Sequence, residues 1–153
     1  MQEAISVLSA YVEQRRMQAK QCEDQRATMT NYLLVVCTAL QGFIANRGFD
    51  GPSLALAGFI VIIGVYGMKV TAKYYERFRL QISYVDGATA RLRKLCPDAQ
   101  LMEIEQHARE QHISTFGKLT DLRLNALWSW PHIGLIAVGI VNILMVSVKW
   151  LCS

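Results

Sequence analysis

The sequence predicts an all-α integral membrane protein with three transmembrane helices and a long cytoplasmic helical hairpin. Three observations predict it. Of 153 residues, 52% are hydrophobic and 18% charged, too apolar a balance for a disordered chain and a reason to test a membrane protein first. Three long runs hold almost no charge, and basic residues gather on one side of those runs. The last run is bracketed by tryptophans. The length suits one ordinary domain, and no internal repeat or low-complexity linker divides it. We therefore read 1–153 as one helical membrane domain: a cytoplasmic amphipathic helix over 1–30, spans over 31–46, 53–70 and 131–150, and a hairpin over 71–127.

The leader is helical in period, with Ile5, Leu8, Val12, Ala19 and Cys22 on one stripe that Arg15 and Arg26 interrupt. Charge throughout separates it from a secretory signal. Its expected role is to pack against the helix that continues from the second span and against a neighbouring subunit, or else to lie on the membrane surface. The first uncharged stretch, NYLLVVCTALQGFIA, runs from Asn31 to Ala45. The second, Ser53 to Val70, contains only Lys69. These two are short for a bilayer, and snorkelling of Lys69 and Arg47 or local thinning accommodates the difference. Between them lie only seven residues, with Arg47 and Asp50 as one base and one acid.

Beyond the second span, Met68, Thr71, Tyr75, Phe78, Ile82, Val85, Thr89, Leu92 and Cys96 recur in steps of three and four. That is the spacing of a coiled-coil seam, and Tyr75, Phe78, Ile82, Val85 and Leu92 are its candidate oligomer contacts. One helix would then project roughly 40 Å into the cytoplasm, with Gly87 as a weak point. Pro97 and Asp98 predict a hinge, Asp98 being able to cap the next helix. Ala99 to Phe116 reads as an antiparallel return helix, and Asp121, Leu122, Leu124, Leu127 and Trp128 lead into the third span. From Ile133 to Val148 there is no ionisable group. The step from Trp130 to Trp150 covers roughly 30 Å of helix, a hydrocarbon thickness with an aromatic at each interface.

Orientation comes from the basic residues. Arg26 precedes the first span and Lys69, Lys73, Arg77 and Arg79 stand at and beyond the end of the second, so the amino terminus and the middle segment face the cytoplasm. Three spans put Trp150 to Ser153 outside, against which Lys149 argues. The cluster Lys73, Tyr74, Tyr75, Glu76, Arg77, Phe78 and Arg79 lies at the membrane edge, where Lys73, Arg77 and Arg79 suit anionic lipid head groups or a protein partner. Interleaved acids and the lack of an RNA-binding motif speak against nucleic acid.

Chemistry has little foothold. Glu103, His107 and Glu110 share a helix face with His112 nearby, but a solvated face carries the same letters. No HExxH or second Glu-x-x-His element accompanies them. Ser53, Ser114 and Ser129 lack a nucleophile motif, and Cys22, Cys37, Cys96 and Cys152 form no zinc-like or disulfide pattern. We expect no catalytic residue, no metal and no cofactor. Gly58, Gly64, Gly67, Gly134 and Gly139 lie in the spans, where small residues serve close helix packing. Asn142 and Gln41 are the informative polar residues there, since each amide needs a partner in hydrocarbon. They serve as interhelical glue or, in an oligomer, as a pore lining.

The strings QRATMTNYLLVVCTAL, KYYERFRLQISY, LRKLCP and WSWPHIGLIAVG, within Ala19 to Val138, resemble the RipA-type octameric bacterial membrane proteins. More loosely, they resemble the SLATT-like membrane effectors of bacterial defence systems. The resemblance places Arg26 and Asn31 in the pre-span motif, and Tyr75, Arg77 and Arg79 in the aromatic and basic motif after the second span. It implies a homo-oligomer of the bacterial inner membrane. In the effector group it also implies a cytoplasmic sensor partner that provokes membrane disruption. The apolar Ile133 to Val148 departs from the two-span effectors. Two functions are therefore expected: a membrane-active or pore-forming ion-channel-like effector in stress or antiviral (phage) defence, or a non-conducting scaffold binding a cytoplasmic protein through its hairpin.

Overall fold

The computed structural model describes residues 1–121 and 123–151; Leu122, named in the lead into the third span, and Cys152 and Ser153 lie outside them. Among the described residues there are helices and no strands. In chain order they are α1 (Gln2–Arg47), α2 (Gly51–Leu95), α3 (Leu101–Phe116), α4 (Leu124–Leu127) and α5 (Trp130–Leu151), with short 3-10 turns at Pro97–Ala99 and Gly117–Asp121. Three of them, α1, α2 and α5, are long and apolar enough to cross a membrane. The predicted leader and first span are one uninterrupted helix, as are the predicted second span and the segment after it. Packing divides the chain into two compact units. One combines Met1–Glu23 with Glu76–Leu124, the other Asp24–Tyr75 with the chain from Asn125 onward.

The second unit is a three-helix bundle whose inward positions keep a 3.5-residue period. On α2 the buried residues include Ser53, Ala57, Ile60, Gly64, Gly67 and Thr71; on α1 they are Arg26, Thr30, Cys37 and Ile44; on α5, His132, Gly139, Asn142 and Val146. Steps of four, three and seven keep one seam of each helix turned to its neighbours. Cys37, Ile44, Ala57, Ile60 and Ile63 form its apolar core, with Leu33, Leu40 and Leu135 packed against them. The outward positions are also apolar: Tyr32, Val35, Phe43, Phe59, Ile62, Val141, Leu144 and Val148 are exposed.

The turn from α1 to α2 takes three residues. Gly48 and Phe49 adopt positive φ of 75° and 59°, the left-handed region in which a glycine is free and a phenylalanine is strained. Asp50 then caps α2: its Oδ1 accepts the Ser53 backbone N–H at 3.2 Å and the Ser53 hydroxyl at 2.7 Å, satisfying one of the free donors at the helix start. Pro52, in the first turn, has no N–H to satisfy.

In the first unit the early turns of α1 pack with the later turns of α2. Ala19, Val85 and Ala88 are buried. The Arg15 guanidinium lies over the Tyr11 and Tyr84 rings, 4.8 and 4.9 Å from their centroids, and donates to Gln18 and Gln81. This arginine interrupts the leader's apolar stripe, yet it is held by partners on both helices. Gly87 does not break α2. The hinge falls at Pro97, but Asp98 lies within the 3-10 turn, and the residue preceding α3 is Gln100, in a left-handed conformation with no side-chain cap. Asp98 stands two residues before the cap position, inside the 3-10 turn, and so is not the N-cap of α3. No residue of α3 is buried, and the Arg93–Glu105 ion pair ties it to the end of α2.

Candidate functional site

The polar groups of the bundle are arranged in tiers between its helices. In the first tier, Arg26 of α1 is buried. Its Nη2 donates to the Asn125 side-chain oxygen at 3.1 Å and to the Asn125 carbonyl at 3.5 Å. The guanidinium carbon stands 4.8 Å from the Trp128 ring centroid and 5.7 Å from that of Tyr75. Aromatic faces and amide oxygens together replace the hydration that burial removes from a cation.

One turn on, all three helices meet at a single imidazole. His132 is fully buried, with Nε2 3.1 Å from the Thr71 hydroxyl and 3.4 Å from the Thr30 hydroxyl. Gly67 makes room for the ring: a Cβ there would collide with Nδ1. Nδ1 has no hydrogen-bond partner among the described residues.

The third tier is an amide pair. Asn142 Nδ2 donates to Gln41 Oε1 at 2.5 Å, and Gln41 Nε2 donates to Asn142 Oδ1 at 3.4 Å. Each amide thus meets a donor and an acceptor in the other, as a polar group removed from water requires.

The last tier closes the opposite end. Lys149 donates to the Gly48 carbonyl at 2.6 Å, just past the C-terminal end of α1, where a cation is favoured by the helix dipole. Beside it, Arg47 and Asp50 pair at 3.0 Å. The Arg47 guanidinium, and then the Ser53 hydroxyl, hold the Asp50 carboxyl down to about 2, and Asp50 in turn raises Arg47. An open apolar groove of about 430 Å³ runs between this turn and Val141, Leu144, Met145 and Val148.

The second and last tiers keep one spacing on every helix. From Thr30 to Arg47, from Thr71 back to Ser53 and from His132 to Lys149 the separations are 17, 18 and 17 residues, or about 26 Å of helix in each case.

Of the residues singled out in the sequence, Gln41 and Asn142 are brought together. Gly64, Gly67 and Gly139 sit at close approaches: a Cβ on Gly64 would lie 2.7 Å from Ile136, and one on Gly139 would lie 2.6 Å from Val61. Gly58 and Gly134 meet nothing within 4 Å. Lys73, Arg77 and Arg79 are exposed. Of the seam, Val85 is buried within its own unit, Tyr75 lies half-buried beneath Arg26, and Phe78, Ile82 and Leu92 are half-buried. Glu103, His107 and Glu110 are exposed, with Glu110 accepting from Gln106. No group of three His, Cys, Asp or Glu suited to a metal occurs among the described residues.

Sequence reasoning missed the His132–Thr30–Thr71 junction. The signal was present: Trp128, His132, Leu135, Gly139, Asn142, Val146 and Lys149 step by four and three along α5 and its approach, which places His132 on the same seam as Asn142. Compared with protein-family models, curated proteins and solved structures, the chain matches none.

Proposed function

We propose that this chain is an integral protein of the bacterial inner membrane, amino terminus in the cytoplasm, acting as a homo-oligomeric, non-conducting scaffold that presents its helical hairpin to a cytoplasmic protein. The observation that carries the membrane assignment is inverted polarity. Hydroxyls, amides, an imidazole and a guanidinium are turned inward and paired, while Tyr32, Val35, Phe43, Phe59, Ile62 and Leu144 are turned outward. In water that arrangement exposes the wrong surface; in lipid the inward polar groups answer one another and the outward apolar ones meet hydrocarbon.

The orientation rests on Arg26, Lys69, Lys73, Arg77 and Arg79 at one edge. Exposed Lys73, Arg77 and Arg79 suit anionic head groups, each worth about 1 kcal/mol near such a surface. Oligomerisation rests on the resemblance to the octameric membrane proteins and on the exposed Met102, Ile104, Ile113 and Phe116 of α3, which a water-facing helix covers with another protein chain. The non-conducting reading is favoured because Gln41 and Asn142 satisfy one another within one chain. A membrane-active or pore-forming defence effector is the second reading, favoured by the same pair: an amide lock inside a span is what a triggered opening would have to break.

Membrane fractionation of cells expressing the full chain tests the first claim. The protein should resist alkaline extraction and dissolve in detergent; a monodisperse, detergent-free soluble species would overturn it. Planar-bilayer recording then separates the readings. Silence from wild type and from Gln41→Leu/Asn142→Leu supports the scaffold, and current that the double variant alters supports the effector.

A further inference from the structure

Among the described residues, the His132 junction is where α1, α2 and α5 share one side chain, and its geometry accepts only an uncharged ring. A neutral imidazole carries one N–H. With that proton on Nε2, the ring donates to the Thr71 hydroxyl and leaves bare Nδ1 against the Gly67 backbone. With it on Nδ1, Nε2 accepts from a threonine hydroxyl. A second proton makes both nitrogens donors, and the described residues offer Nδ1 no acceptor. That atom is closed to solvent, and Gly67 packs so near it that a Cβ there would collide with it.

We infer that His132 is a proton-sensitive latch: binding one proton on the ring disrupts the junction and loosens α5 from α1 and α2, so that acidification on the Arg26 side shifts the bundle towards an open form. From α1 the facing charge is Arg26, one turn before Thr30 and itself cationic. From α2 the seam presents Gly67 and Thr71, with the Tyr75 phenol one turn further on; Lys69 and Lys73 are exposed. The chain before α5 brings Asn125 and Trp128, which do not titrate. The acids of this unit are Asp24, which is exposed, and Asp50, held by Arg47 at the far end of α2; Glu76, the residue after Tyr75 on α2, is also exposed and, like Arg26, has interactions of its own. A proton taken up at His132 is therefore left without an acceptor for Nδ1 among the described residues. Histidine is the side chain whose ordinary titration falls between pH 5 and 8, so a packing device built on it answers to physiological acidification.

His107 and His112 are the only other histidines and both are exposed, which makes the test direct. In detergent-solubilised full chain carrying His107→Gln and His112→Gln, the His132 ring nitrogens are followed by NMR from pH 8 to 5. Trp128 emission is followed in parallel after Trp130→Phe and Trp150→Phe. The expected result is one shared midpoint, with Trp128 moving to longer wavelength as the ring gains its second proton and the shift vanishing in His132→Gln. Gly67→Ala, which pushes on Nδ1, should give the open emission already at pH 8. The latch is overturned if the ring stays neutral down to pH 5, if it protonates while Trp128 emission stays fixed, or if His132→Gln shows the same shift. Should His132→Gln fail to fold, coincidence of the two midpoints in the parent decides the matter.

Discussion

At the residue scale, the two halves of the amide pair depend on each other. Asn142→Leu leaves the Gln41 amide without its partner and should destabilise the bundle by about 1–2 kcal/mol. The double change to leucine removes both demands and should recover most of the loss. A double-mutant cycle of unfolding in detergent measures the coupling, and strictly additive effects would show that the pair contributes nothing as a pair. The glycines divide in the same way. Gly139→Ala forces a Cβ to within 2.6 Å of Val61 and 3.0 Å of the Ala57 carbonyl, an overpacking that costs about 1–3 kcal/mol. Gly134→Ala, with nothing within 4 Å, should be close to neutral in the same assay.

At the scale of single elements, α2 crosses Gly87 without a break because its neighbours carry the helix. Nothing lies within 4 Å of a Cβ there, so Gly87→Ala should stabilise the chain by about 0.5–1 kcal/mol through the entropy of the unfolded state alone. A lowered midpoint would contradict that account. The turn into α2 has its own pH signature. Asp50 titrates near 2 when folded and near 4 in an unfolded chain. Its depressed value therefore stabilises the fold above about pH 4, and the contribution fades as the pH falls towards about 2. Asp50→Asn should flatten the dependence of unfolding on pH across that window.

These elements were legible in unequal measure. The long apolar helices, the hinge at Pro97 and the polarity of Gln41 and Asn142 could be read because hydrophobic period and proline act locally. The Arg26 cage, the His132 junction and the Lys149 cap could not be read so easily. Their hydrogen-bond partners lie 61 to 102 residues away, and a lone polar residue near the end of an apolar run looks the same whether it faces a head group or a neighbouring helix.

At the scale of the whole molecule, inverted polarity makes sidedness testable. In a cysteine-free background, Asn46→Cys should react with a membrane-impermeant maleimide in intact spheroplasts, and Asp98→Cys only after lysis. The reverse pattern would overturn the proposed orientation. The tiers also impose an order on biogenesis. Arg26, Thr30, Gln41, Thr71 and the Gly48 carbonyl all find partners on the segment from Asn125 to Lys149, which leaves the ribosome after both of the helices that carry them. In the proposed membrane setting, the nascent hairpin of α1 and α2 holds these groups without those partners until that segment arrives. On the same proposal, a chain truncated before Asn125 lacks those partners for its lifetime, and so carries its own mark for the proteases that survey unfinished membrane proteins.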